Sequence, residues 1–154
     1  MRILLIFIFL CSAVIGEQLS KEQALAALKP YADEFIELLQ QNKHMEALKF
    51  YDEDIIDMVP FRPPIRGLDE LRRVTRKAVA AGLQYHSASG NVEDAWGCDD
   101  MIYERGTLAF SQTTRDNPKP EAYYGSYFTI WKKQADGSYK MRYTIWNLDF
   151  NPWE

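Results

Sequence analysis

The sequence predicts an α+β domain, with helices in its first half and an antiparallel sheet in its second. Three observations predict it. Apolar residues recur at helical spacing from Leu25 to Leu39 and again after Gly67. From Gln84 onward the chain turns to long stretches rich in Tyr, Phe, Trp, Thr and Ile. Those stretches are separated by turn sequences, of which Asp136-Gly137 is the clearest hairpin signal.

Ser20 followed by Gln23 is a capping-box start. Leu25, Leu28, Ala32, Phe35, Ile36 and Leu39 then fall on one helical face. Pro30 interrupts this run, and either kinks one long helix or opens a second. His44 to Tyr51 reads as a short helix with Met45, Leu48 and Tyr51 inward, ended by Asp52-Glu53-Asp54. Ile55 to Val59 reads as a short strand. Pro60, Pro63 and Pro64 make the following loop stiff and extended. Gly67 opens a helix from Leu68 to Ala81, with Asp69 and Glu70 at its positive end and Gly82 as its stop. Gln84 to Glu93, Met101 to Thr113, Tyr123 to Lys133 and Ser138 to Phe150 read as four strands of a meander.

This sheet is apolar on both faces. Tyr123, Tyr127, Thr129 and Trp131 alternate with Tyr124, Phe128 and Ile130. Tyr139, Met141, Tyr143 and Ile145 alternate with Thr144, Trp146 and Leu148. A sheet with one wet face alternates apolar with polar. One face here must cover the helices. The other meets a partner, a second copy of the chain being the simplest, unless the helices wrap both faces.

Arg2, the apolar run Ile3 to Leu10 and the small residues up to Gly16 form the n-h-c plan of a signal peptide. The run is shorter than the roughly 20 apolar residues of a membrane anchor. The expectation is residues 1–16 as signal and 17–154 as one secreted domain, with no membrane association after cleavage. Removing 16 of 154 residues leaves 138, with 17 Lys and Arg against 22 acids. Such an acidic chain is a poor nucleic-acid binder. The one basic cluster, Arg72, Arg73, Arg76 and Lys77, reads as a solvated helix face. Cys11 departs with the signal, leaving Cys98 in a turn, either shielded or available for an intermolecular disulfide, and no internal disulfide. No Asn-x-Ser/Thr sequon is present.

Several segments, in order, resemble SnoaL-like proteins of the nuclear transport factor 2-like superfamily, which also holds ketosteroid isomerases and scytalone dehydratases. They are Tyr51-Asp52-Glu53-Asp54, Pro63 to Leu71, Met101 to Thr107, Gly125 to Lys132, Asp136 to Met141 and Ile145 to Asp149, together spanning about residues 20 to 150. The resemblance implies a cone-shaped, cystatin-like barrel. In it a strongly curved sheet wraps a long helix and leaves a pocket at the open end. It also implies homodimers through the outer sheet face. It does not fix a function.

Tyr51, Tyr85, Tyr103, Tyr127, Trp131, Tyr143 and Trp146 are the candidate lining of an aromatic pocket for a small hydrophobic molecule. A buried carboxylate beside a tyrosine would add acid–base chemistry. Glu104 shares its strand face with Ile102, Leu108 and Phe110, with Tyr103 and Arg105 on the opposite face. Asp149 ends the last strand. Glu104, Asp149 and Tyr103 are therefore the catalytic candidates, with sheet-surface and strand-end roles as the alternatives. His44 and His86, the only histidines, form no ligand-spaced pair, so no metal is expected, and no motif calls for a cofactor. The first reading is a secreted, homodimeric binding or assembly module. The alternative is an isomerase, cyclase or dehydratase. The alternative requires an acid inside the cone; the first does not.

Overall fold

The computed structural model describes residues 18–98 and 100–150, so the expected signal peptide lies outside the described residues. Helix α1 (Lys21–Gln40) is followed by α2 (His44–Ala47), a 3-10 turn (Leu48–Phe50) and α3 (Leu68–Ala80). The strands are β1 (Gln18–Leu19), β2 (Tyr51–Met58), β3 (Ile65–Arg66), β4 (Gln84–Cys98), β5 (Met101–Thr113), β6 (Glu121–Lys133) and β7 (Tyr139–Leu148). They form one curved, unclosed sheet in the order β1-β4-β5-β6-β7-β2-β3. Strands β4 to β7 are the antiparallel meander, and β2 adds to β7 in parallel.

Helix α1 begins on the Ser20 capping box, with the hydroxyl accepting from the Gln23 N–H and the Gln23 side chain accepting from the Ser20 N–H. It runs unbroken through Pro30, which faces solvent. The Ala26 carbonyl that loses its helical donor there can be hydrated, so the proline is tolerated. The apolar side of α1 lies inside the cone: Ala24, Leu28 and Leu38 are buried, with Leu25, Phe35 and Leu39 packed against them. Ala95, Ile102, Trp131 and Met141 from the sheet complete that core. The basic face of α3 is solvated, with Arg72 paired to Asp69 and Arg73 to Glu70. At the β6–β7 hairpin Gly137 takes φ 85°, a conformation open to glycine, and its N–H donates to the Gln134 carbonyl.

Several elements differ from the sequence reading. Asp52, Glu53 and Asp54 do not end a helix; they belong to β2, which starts at Tyr51. Asp52 is buried there because its carboxylate has partners: the Asp54 N–H and Gln134 Nε2 donate to it, and Arg142 Nε lies 4.0 Å away. Met45 is exposed rather than inward. Strand β4 runs on to Cys98 because β1 pairs with its end, Leu19 against Gly97, so Cys98 ends a strand and is exposed rather than shielded in a turn. A bulge at Arg142 breaks the alternation of β7: Trp131 pairs with Met141 but Ile130 with Tyr143. Met141 and Thr144 therefore both point inward.

Candidate functional site

The open end of the cone holds a cavity of about 620 Å³ between α1 and the concave sheet face. Ala32, Phe35, Ile36 and Leu39 of α1 form one wall. Tyr51, Tyr85, Tyr127, Trp131 and Trp146, five of the seven expected aromatics, line the rest with Phe110 and Val92. Phe110 meets Tyr85 edge-on at 5.7 Å and Trp146 at 6.2 Å, which closes the apolar rim.

Tyr103 and Tyr143 do not line it. Tyr103 alternates with Ile102 and Glu104, which point inward, so it lies on the outer face, stacked on Trp96 at 5.6 Å. Tyr143 is sent outward by the Arg142 bulge, and the Arg142 guanidinium sits 5.1 Å over its ring. Asp149 follows β7, exposed, its backbone N–H donating to the Tyr124 carbonyl.

Glu104 is inside, only 4% exposed. Its two oxygens are held separately. Tyr127 Oη donates to Oε1 at 2.6 Å, and Trp131 Nε1 donates to Oε2 at 3.1 Å. Burial pushes the Glu104 pKa up, and these two donors pull part of it back. Gly106 makes the arrangement possible. It pairs with Tyr127, and a Cβ on it would lie 3.0 Å from Tyr127 Oη and 2.2 Å from the Asn91 carbonyl oxygen.

The sequence reading did not single out Asp57. It lines the same cavity, is 7% exposed, and its Oδ1 has no hydrogen-bond partner. Burial raises its pKa to about 6, offset in part by the charge of Arg62, the one Lys or Arg on the cavity wall among the described residues. Tyr51 stands close by: its hydroxyl is driven up first by burial, then by the Asp57 charge, then by Tyr85. A signal for Asp57 was present in the sequence. Ile55, Asp57 and Val59 share one strand face, and Ile55 and Val59 mark that face as the core side.

Register joins the two acids. Asp57 pairs with Thr144, Thr144 with Thr129, and Thr129 with Glu104. The two threonine hydroxyls bond at 3.3 Å. One polar row thus crosses an otherwise apolar floor, a carboxyl group at each end. Neither His44 nor His86 joins it: His44 is buried against Tyr85 and His86 is exposed beside Thr113. No group of three metal-ligating side chains stands together among the described residues.

No protein-family model matches this chain, and no curated protein matches it in sequence. Solved structures do share its fold. A ketosteroid isomerase-like protein from Erwinia carotovora atroseptica superimposes with a TM-score of 0.73 at 16% identity, over 84% of this chain and 98% of that one. ActVI-ORFA from Streptomyces coelicolor gives 0.65 at 15% identity, over 80% and 96%. A protein from Catenulispora acidiphila in complex with S-DNPA gives 0.61 at 14%, over 80% and 92%. At these identities the likeness is one of fold. The chain has the cystatin-like α+β fold that these proteins share, as the sequence resemblance implied.

Proposed function

We propose that the cone binds a small, largely apolar carbonyl compound and that Asp57 takes a proton from it, as in an isomerase, cyclase or dehydratase. The observation that carries this is the buried, unpartnered Oδ1 of Asp57 on an aromatic cavity. A carboxylate with a pKa of about 6 is matched to proton abstraction near neutral pH. Asp57 would accept the proton of a carbon next to the carbonyl, and the electron pair would move onto the carbonyl oxygen. Tyr51 and Tyr85 line the same cavity, and neither hydroxyl is hydrogen-bonded among the described residues, so both are open to donate to that oxygen. A binding or assembly module requires no buried acid. Two acids stand inside this cone, which favours the enzymatic reading, as does the ketosteroid isomerase-like protein that shares the fold.

The test is solvent deuterium incorporation into 2-tetralone, a small apolar ketone with acidic C–H bonds, followed by NMR. Wild type should exchange faster than buffer, and Asp57→Asn should fall to the buffer rate. Exchange unaffected by Asp57→Asn would remove the proposal.

Two further parts of the reading concern the setting. Residues 1–16 serve as a cleaved export signal, so N-terminal sequencing of protein from the medium should start at Glu17; a start at Met1 would contradict it. The chain pairs with a second copy through the outer sheet face. Trp96, at 39% exposure, Tyr103, Phe128 and Ile145 form a contiguous apolar patch there.

A further inference from the structure

The polar row has a second end that proton abstraction at Asp57 does not use. Glu104 is nine-tenths buried on the cavity wall and has no cationic partner among the described residues. Its neighbour Arg105 is on the other face of β5, paired to Glu93 at 2.6 Å. One donor on each carboxyl oxygen is the pattern that supports an ionised group, because a carboxylate only accepts. A buried charge without a counter-charge is costly, and it is relieved either by protonation, the direction in which burial pushes Glu104, or by a cation. The donors themselves are aromatic: Tyr127 and Trp131 turn their O–H and N–H edges to the carboxyl group and line the cavity beside it.

The rest of the wall points the same way. Among the described residues Asp33, Glu37, Asp57 and Glu104 line the cavity against one cation, Arg62. Asp33 and Glu37 have their own partners, Lys29 and Gln41. The charge of Arg62 lowers the Asp57 pKa, with no ion pair between the two among the described residues. Glu104 is the acid on this wall with no cation acting on it among the described residues, three strand steps from Asp57. At about 4.8 Å per strand that is roughly 14 Å along the sheet, and less across its concave face.

Resting on the reading of the cavity as a site for a carbonyl compound, we infer that this ligand also carries an amine. An ammonium group seats against the cavity side of Glu104, beside Tyr127 and Trp131, while the apolar body reaches along the floor toward Asp57. Glu104 is then the specificity determinant, and Asp57 remains the proton acceptor at the far end.

Three probes of one shape test this at pH 7.5: 3-phenylpropylammonium, 3-phenylpropan-1-ol and 3-phenylpropanoate. Binding is measured by calorimetry and by the Trp131 indole N–H resonance, assigned with Trp131→Phe. The ammonium should bind at least tenfold more tightly than the alcohol and shift the Trp131 signal. Glu104→Gln should bring the two within about twofold, and Asp57→Asn should keep the preference. Equal binding of alcohol and ammonium, or a preference that survives Glu104→Gln, overturns the inference and leaves the cavity reading intact. Failure of all three probes to bind overturns both. Should Glu104→Gln not fold, the wild type still decides: ammonium binding without a Trp131 shift overturns the seat.

Discussion

Asp57 and Glu104 stand at the two ends of one cross-strand row, Asp57–Thr144–Thr129–Glu104, on the concave face of the sheet. Their environments differ. Glu104 has a donor on each oxygen; Asp57 Oδ1 has none. Two carboxyl groups on one cavity wall are thereby separated into a held acceptor and an open one, and this difference underlies the roles assigned to them.

Asp57 should destabilise the fold at neutral pH. Its folded pKa, about 6, lies above the value of about 4 in an unfolded chain. The folded state therefore binds the proton more tightly. The stabilisation is complete below about pH 4 and is lost as pH rises through 6. Asp57→Asn should raise stability at pH 7 by about 2–3 kcal/mol and flatten this part of the pH curve. Urea denaturation of both proteins between pH 4 and 8 measures it. Equal stability of the two at pH 7 would contradict the buried, unpartnered state of Asp57. Glu104 is shifted in the same direction, so part of the fall should persist in the variant.

Tyr127→Phe removes the 2.6 Å hydrogen bond to Glu104 without opening the core. An acceptor left unpaired in such a place costs about 1–3 kcal/mol. The Glu104 pKa, already raised by burial, should climb further once this donor is gone. A carboxyl 13C titration reads the second effect. An unchanged Glu104 titration would show that the bond does not hold it.

Gly106→Ala should be worse than its size suggests. The added Cβ would lie 2.2 Å from the Asn91 carbonyl oxygen, a backbone atom that cannot swing aside. It would also press on the Tyr127 hydroxyl that reaches Glu104. A loss of more than about 2 kcal/mol is expected in thermal or urea unfolding. A loss below about 0.5 kcal/mol would mean that β4 and β5 separate there at little cost.

The outer face should hold two copies together. Trp96→Ser combined with Phe128→Ser removes two rings that pack at 6.1 Å on that face. Sedimentation should find wild type near twice the chain mass and the variant at one chain. A wild-type monomer at micromolar concentration would contradict the pairing.

The architecture was legible because its signals are local. The Ser20 capping box, the apolar face of α1 and the aromatic strands each declare themselves within a dozen residues. The same holds for Glu104, an acid among Ile102, Leu108 and Phe110 on one strand face. Two features of the site were not legible, for physical reasons. The bulge at Arg142 adds one residue to β7 and reverses the faces beyond it, which placed Tyr143 outside. Asp57 lies in the expected strand Ile55 to Val59, on its core face, but nothing local says that this strand borders the cavity. Its place there comes from the parallel pairing of β2 with β7, which joins residues far apart in the chain.

The most direct test of the central claim is the titration of Asp57 itself, followed through its carboxyl 13C resonance from pH 3 to 8 and assigned with Asp57→Asn. The account predicts a midpoint near 6, the value that burial without a hydrogen-bond partner imposes. A midpoint near the ordinary aspartate value of about 4 would contradict it, because Asp57 would then be a solvated carboxylate with no special capacity to take a proton in the cone.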